Sequence, residues 1–190
     1  MRRFAGEAPR RRVLALAGIL GAWLMGNATP AAASVAIYVG KNRTADGSVL
    51  LAGYGDEPSS HWLSLVPARD HPAGATFTVG ATSAAKLPGV LTEIAQAPHT
   101  FRYLSMDYSY FEGLPAPLTN GGLNEHGVAV RDVALYSRRE LVDMTPNPQR
   151  GPNYSDLARI ALERATSARE AVEIVTRLID AHGYTTYGGN

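Results

Sequence analysis

The chain contains no cysteine, which removes disulfides, thiolate metal ligands and cysteine nucleophiles together. Covalent chemistry has to use oxygen or nitrogen. Its histidines, His61, His71, His99, His126 and His182, are scattered without an HExxH run or other paired spacing, so they outline no metal site. No GxSxG stretch and no phosphate-binding glycine loop occurs, which leaves a conventional serine hydrolase without support and predicts no cofactor. Runs of Lys or Arg interleaved with aromatics are also missing. The formal charge of +1 is unevenly spread: Arg2, Arg3, Arg10, Arg11 and Arg12 against Glu7 give the first 33 residues +4, and +1 less +4 leaves −3 for residues 34–190. A mildly acidic body offers no face to phosphate backbones, so nucleic acid is excluded as a partner.

What is present begins with an export signal. Arg10-Arg11-Arg12 precedes the apolar run 13–25 and then the small and polar stretch GNATPAAA, the charged, greasy and cleavable zones of a signal peptide. Thirteen apolar residues fall short of the roughly 20 that span a bilayer. The expectation is therefore a signal peptide over residues 1–33, cleaved after Ala33, with contact to the membrane only while the leader is attached. The consecutive arginines leave the general and the twin-arginine export routes both open. Either one makes the protein periplasmic or extracellular.

Cleavage there exposes Ser34 with a free α-amino group, directly before the apolar run Val35–Val39. A serine hydroxyl is a weak nucleophile unless a base takes its proton, and an α-amine with a pKa of about 7.7 to 8.0 can be that base within the same residue. Ser34 is thus the candidate nucleophile. Its structural alternative is simply the small residue after a cleavage site.

The remaining chain reads as strands followed by helices. Residues 35–39 and 48–52 form a hairpin across KNRTADG, with Asp46-Gly47 as its turn signal. Short strands are expected at 63–67 and 76–80, and Ser60-His61-Trp62 reads as a loop entering the first of them. The aromatic segment TFRYLSMDYSYFEG has no sustained period and is expected to fill core, the alternative being to line a pocket. TNGGLNEHGVAVRDVALYS reads as a second hairpin, turning at Asn124-Glu125-His126-Gly127 into a strand over 128–135.

From Ser155 the period becomes helical, with Leu157, Ile160, Ala161 and Ala165 on one face and Ser155 or Asn153 as cap. A second helix opens at Ser167-Ala168-Arg169-Glu170, expected as a capping box, buries Val172, Val175, Leu178 and Ile179, and ends at Gly183. About six strands and two helices in this order predict a layered α+β fold.

Three segments carry a family resemblance. SVAIYVGKNRTADGSVLLAGYGDEPSSHW resembles the start of mature dipeptidases of peptidase family C69, in which a nucleophile opens a strand followed by a VGK turn, a DGS turn and a second strand. NGGLNEHGVAV and NYSDLARIALERATSAREAVEIVTRLIDAHG look like two later stretches of that family, in the same order. The resemblance implies an N-terminal nucleophile hydrolase fold, an αββα sandwich incomplete at the C-terminus of this chain. It also implies hydrolysis of a dipeptide or small amide substrate through an acyl-enzyme. Asn190 is then a candidate oxyanion donor, and Asn124 a second one whose alternative is to serve its own turn. Asp56 is a candidate for orienting the α-amine, or else a turn aspartate beside Gly55.

Two departures bear on this reading. Many relatives carry cysteine where this chain has Ser34, and many read ARNED where it reads AGYGD, so that Gly53 stands at the expected arginine position. The missing arginine leaves a rival open, a secreted binding protein on the same scaffold. A further alternative is an acyl-amide hydrolase resembling penicillin V acylase. Oligomeric state is not readable from the sequence.

Overall fold

The computed structural model describes residues 34–55, 59–135 and 137–186. Directly after Ser34 the apolar run becomes β1 (Val35–Val39), which turns through a single 3-10 turn at Lys41–Arg43 into β2 (Leu50–Tyr54). The two pair antiparallel, with Val35 opposite Tyr54, Ala36 opposite Gly53 and Val39 opposite Leu50. The second strand starts two residues later than the sequence predicts, because Ser48 is committed to the turn. Its N–H donates to Asp46 Oδ1 at 3.0 Å and its carbonyl accepts from the Thr44 hydroxyl at 2.7 Å, an Asx-type turn that competes with the strand ladder.

A larger sheet follows. β3 (His61–Val66) leads into the short strands β4 (Arg69–Asp70), β5 (Thr76–Val79), β6 (Gly89–Val90), β7 (Thr92–Ala95) and β8 (His99–Thr100). Then come β9 (Tyr103–Tyr108), β10 (Thr119–Asn124) and β11 (Ala129–Arg131). Four of these strands make one antiparallel sheet in the order β11-β10-β9-β3, while β5 with β7 and β4 with β8 form two-stranded pairs. The expected second hairpin is β10 and β11. Its turn closes where Gly127 N–H donates to the Asn124 carbonyl at 3.0 Å, with Gly127 at φ 77°, a left-handed position that glycine adopts without steric cost. The second strand of this hairpin is shorter than expected, ending at Arg131 instead of Leu135.

A short helix α1 (Arg139–Asp143) and the strand β12 (Gln149–Arg150), which pairs with β6, precede the two long helices α2 (Tyr154–Arg164) and α3 (Ala168–His182). Among the described residues there are thus twelve strands and three α-helices, and four of the strands are two-residue pairings. Such pairings are too short to leave a period in the sequence.

Asn153, not Ser155, caps α2. Its side chain accepts from Asp156 N–H at 2.9 Å while Asp156 Oδ2 accepts from Asn153 N–H at 3.0 Å, a reciprocal capping box. Asp156 Oδ2 also accepts from Gly80 N–H at 2.8 Å, and Asn153 donates to the Gly80 carbonyl at 2.8 Å. The cap therefore ties the helix to the end of β5. Burial pushes the Asp156 carboxyl pKa up, and the two N–H donors and Arg159 oppose that shift.

The second helix departs from expectation in two ways. Ser167 does cap α3, accepting from Glu170 N–H at 3.2 Å, but Glu170 does not close the box. Its carboxylate instead accepts from the Thr166 N–H at 2.8 Å and the Thr166 hydroxyl at 2.6 Å, which offers two donors in place of one. The buried stripe is also rotated: Ala171, Ile174, Val175 and Leu178 face the core, whereas Val172 is 65% exposed and Ile179 is 38% exposed.

These elements stack in layers. Val128, Val130, Ala161, Ala165, Ala171, Ile174 and Val175 pack together between the sheet, α2 and α3, and Val79, Ile94 and Ile160 continue the core under β5 and β7. Tyr103 and Tyr108 are buried and Tyr108 packs edge-on against Phe111 and Tyr154, so most of the aromatic segment fills core as expected, while Tyr110 is 67% exposed. The opposite face of the four-stranded sheet carries Leu63, Leu65, Leu104 and Leu123, all exposed. The architecture is a mixed α/β arrangement, in agreement with the α+β expectation.

Candidate active site

Ser34 stands one residue ahead of β1 and is half-buried. Side chains alternate between the two faces of a strand, and residues directly opposite in an antiparallel pair share a face. Ala36 opposes Gly53, so the alternation carries Ser34, Ala36 and Gly53 onto one side of the hairpin. Beside that side runs β11. A Cβ built on Gly53 meets Arg131 Nε at 2.5 Å, Cγ at 3.0 Å and Cδ at 3.2 Å. No left-handed backbone calls for glycine there; what excludes a side chain at 53 is the arginine lying across it.

Arg131 in turn belongs to a buried polar group. Opposite Gly121 in the β10–β11 ladder, it projects away from the face on which its neighbour Val130 packs against the helices. Its Nη1 donates to the Asn120 carbonyl at 3.3 Å and lies 3.9 Å from Asp132 Oδ1. The Tyr108 hydroxyl donates to Asp132 Oδ2 at 3.1 Å and accepts from Asn120 Nδ2. Asn120 is fully buried and the Arg131 side chain is 10% exposed. Arg131 Nε has no hydrogen-bond partner among the described residues, an uncommon condition for a buried donor, which costs free energy when left unmade.

The other sequence candidates fall out differently. Asn124 is buried and points to the helix side of the sheet. Its Nδ2 donates to the carbonyls of Leu162 at 3.0 Å and Ala165 at 2.7 Å, and its Oδ1 accepts from His126 N–H at 3.0 Å and Val128 N–H at 2.9 Å. Both amide hydrogens are used, so none is left for an oxyanion. The side chain serves its turn and the end of α2, the alternative already weighed for it. Asp56 and Asn190 lie outside the described residues. His61 and Trp62 belong to β3 itself, and His61 meets Tyr108 edge-on at 4.9 Å between ring centroids.

Arg131 was not singled out from the sequence. The signal that could have found it is the pairing of AGYGD, short of an arginine, with VAVRD, which supplies one from a strand whose neighbour is set only in three dimensions.

The comparisons with known proteins bear on the whole segment at once. No solved structure matches the chain. A family model described as peptidase family C69 matches residues 33–190, a span that takes in Ser34, both hairpins and the helical pair. With most of its length inside that match, the chain belongs to peptidase family C69 and is a peptidase, a hydrolase of peptide bonds.

Proposed function

We propose that the protein is an exported dipeptidase whose nucleophile is Ser34, freed by removal of residues 1–33, and that its fold is of the N-terminal nucleophile hydrolase type, with two packed sheets between helical layers. The observation that carries this reading is the position of Ser34 directly before β1, at the start of the family match. The exposed apolar face of the four-stranded sheet supports the sandwich, since a second sheet packed there would bury Leu63, Leu65 and Leu104.

The proton transfers need only groups that such a serine carries. Its neutral α-amine takes the hydroxyl proton as Oγ attacks the scissile carbonyl, and the carbon–oxygen bond forms. The same amine, now protonated, delivers that proton to the departing amine as the carbon–nitrogen bond breaks, leaving an acyl-ester on Ser34. Water then repeats the route, and the ester is released as a carboxylic acid. An oxyanion donor is required, because losing one costs about a hundredfold or more in rate. Asn190 is the residue proposed for it and Asp56 for holding the α-amine.

The test replaces Ser34 with Ala in the exported protein. Turnover of dipeptides should fall to background, and intact-mass analysis with an acylating probe should find the acyl adduct in the wild type alone. Undiminished hydrolysis in Ser34→Ala removes the nucleophile assignment. Dipeptide binding by the wild type without any adduct would favour the binding-protein alternative.

A further inference from the structure

We propose that Arg131, reaching across from β11 over Gly53, supplies the guanidinium that receives the free carboxylate of a dipeptide substrate. The proposal rests on the N-terminal serine peptidase reading and names the substrate feature which that site selects. Three observations carry it. On the side of the hairpin shared with Ser34, Arg131 lies directly over Gly53, its Nε 2.5 Å from where a Cβ would stand. The Arg131 side chain is nine-tenths buried, yet its Nε makes no hydrogen bond among the described residues. Its ion pair among the described residues, to Asp132 Oδ1, is long at 3.9 Å, and the other oxygen of that carboxylate accepts from the Tyr108 hydroxyl.

A buried guanidinium held by one carbonyl and one distant carboxylate keeps spare donors of the kind that bind a carboxylate oxygen. Burial strengthens that attraction over its value in water.

The spacing selects the length of the substrate. Ser34 stands one residue ahead of the ladder in which Ala36 opposes Gly53, and diagonal neighbours in such a pair lie about 7–8 Å apart, their side-chain bases somewhat closer. A hydroxyl attacks a carbonyl carbon from about 3–3.5 Å, and one residue of extended peptide adds about 3.3–3.6 Å. A dipeptide whose peptide bond lies at Ser34 thus has the length to bring its terminal carboxylate to the neighbourhood of Gly53, which Arg131 covers. In a longer peptide an uncharged amide would occupy that place.

The arrangement also explains why glycine and not arginine stands at 53. Any side chain there meets Arg131, which already lies across the position.

The test compares the affinity of the exported protein for a mixture of dipeptides and for the same mixture as C-terminal amides, by calorimetry on the Ser34→Ala protein and by kcat/KM on the wild type. The expected preference for the free acid is about 10-fold or more, as for a charge-assisted hydrogen bond. Arg131→Ala should abolish the preference, chiefly through KM, and Arg131→Lys should retain part of it. Gly53→Arg alone should lower the thermal midpoint by crowding Arg131. The double variant Gly53→Arg with Arg131→Ala should recover both the fold and the preference, and it covers the case in which Arg131→Ala alone does not fold.

Retention of the full acid-over-amide preference in Arg131→Ala overturns the proposal, as does a wild type that binds both mixtures alike or neither. Because calorimetry on Ser34→Ala needs no turnover, a carboxylate preference that depends on Arg131 supports the proposal even if Ser34 proves not to be the nucleophile.

Discussion

At the scale of single residues, Asp156 carries an unusual share of the fold's polar bonding. Its Oδ2 accepts from both Gly80 N–H and Asn153 N–H, one from the end of a strand and one from the helix cap. Replacing it with Ala leaves two buried donors unpaired and opens the capping box, which should destabilise the protein by about 3 kcal/mol in urea unfolding. Asparagines show how far residue identity reaches. In the sequence Asn153 and Asn124 are equally plausible as turn or cap residues, and the structure makes both of them structural by satisfying their amides within the protein. Ser34 stands out in the sequence as a candidate because the expected leader ends there and a strand begins directly after it. Arg131 does not, since its meaning depends on Gly53, which is far away in sequence and adjacent only after the hairpins come together.

At the scale of elements, periodicity located both long helices but misjudged the rotation of α3. The expected stripe through Val172, Val175, Leu178 and Ile179 and the observed one through Ala171, Ile174, Val175 and Leu178 share Val175 and Leu178, and both are apolar throughout. Which of the two is buried follows from the crossing of α3 over α2 and β5, where Ile174 reaches both core clusters. Ile174→Ala should accordingly cost about 2 kcal/mol by thermal or chemical denaturation, and Val172→Ala should stay within about 0.5 kcal/mol. Equal losses at the two positions would return α3 to the rotation expected from the sequence. Local hydrogen bonding explains the remaining shifts of boundary. Ser48 is held by Asp46 and Thr44, and Glu170 turns to the paired donors of Thr166. Each alternative is a matter of one or two bonds, below what a hydrophobic pattern can register.

At the scale of the whole molecule, the proposed chemistry depends on processing at a single peptide bond. N-terminal sequencing of the exported protein should return Ser, Val, Ala, Ile and Tyr in the first five cycles. A form that keeps even one residue ahead of Ser34 should show no turnover, because its serine nitrogen would be an amide and no longer a base. The charge pattern, the order of most strands before the two long helices and the identity of the first strand were all determined by the sequence alone. Each depends on residues that are neighbours along the chain or repeat with a regular period. Only the tertiary structure decided that Asn124 is consumed by the end of α2, that α3 turns Ile174 inward and that Arg131 lies over Gly53. These outcomes depend on which distant segments share a face, and long-range packing sets that, not the order of residues within any one element.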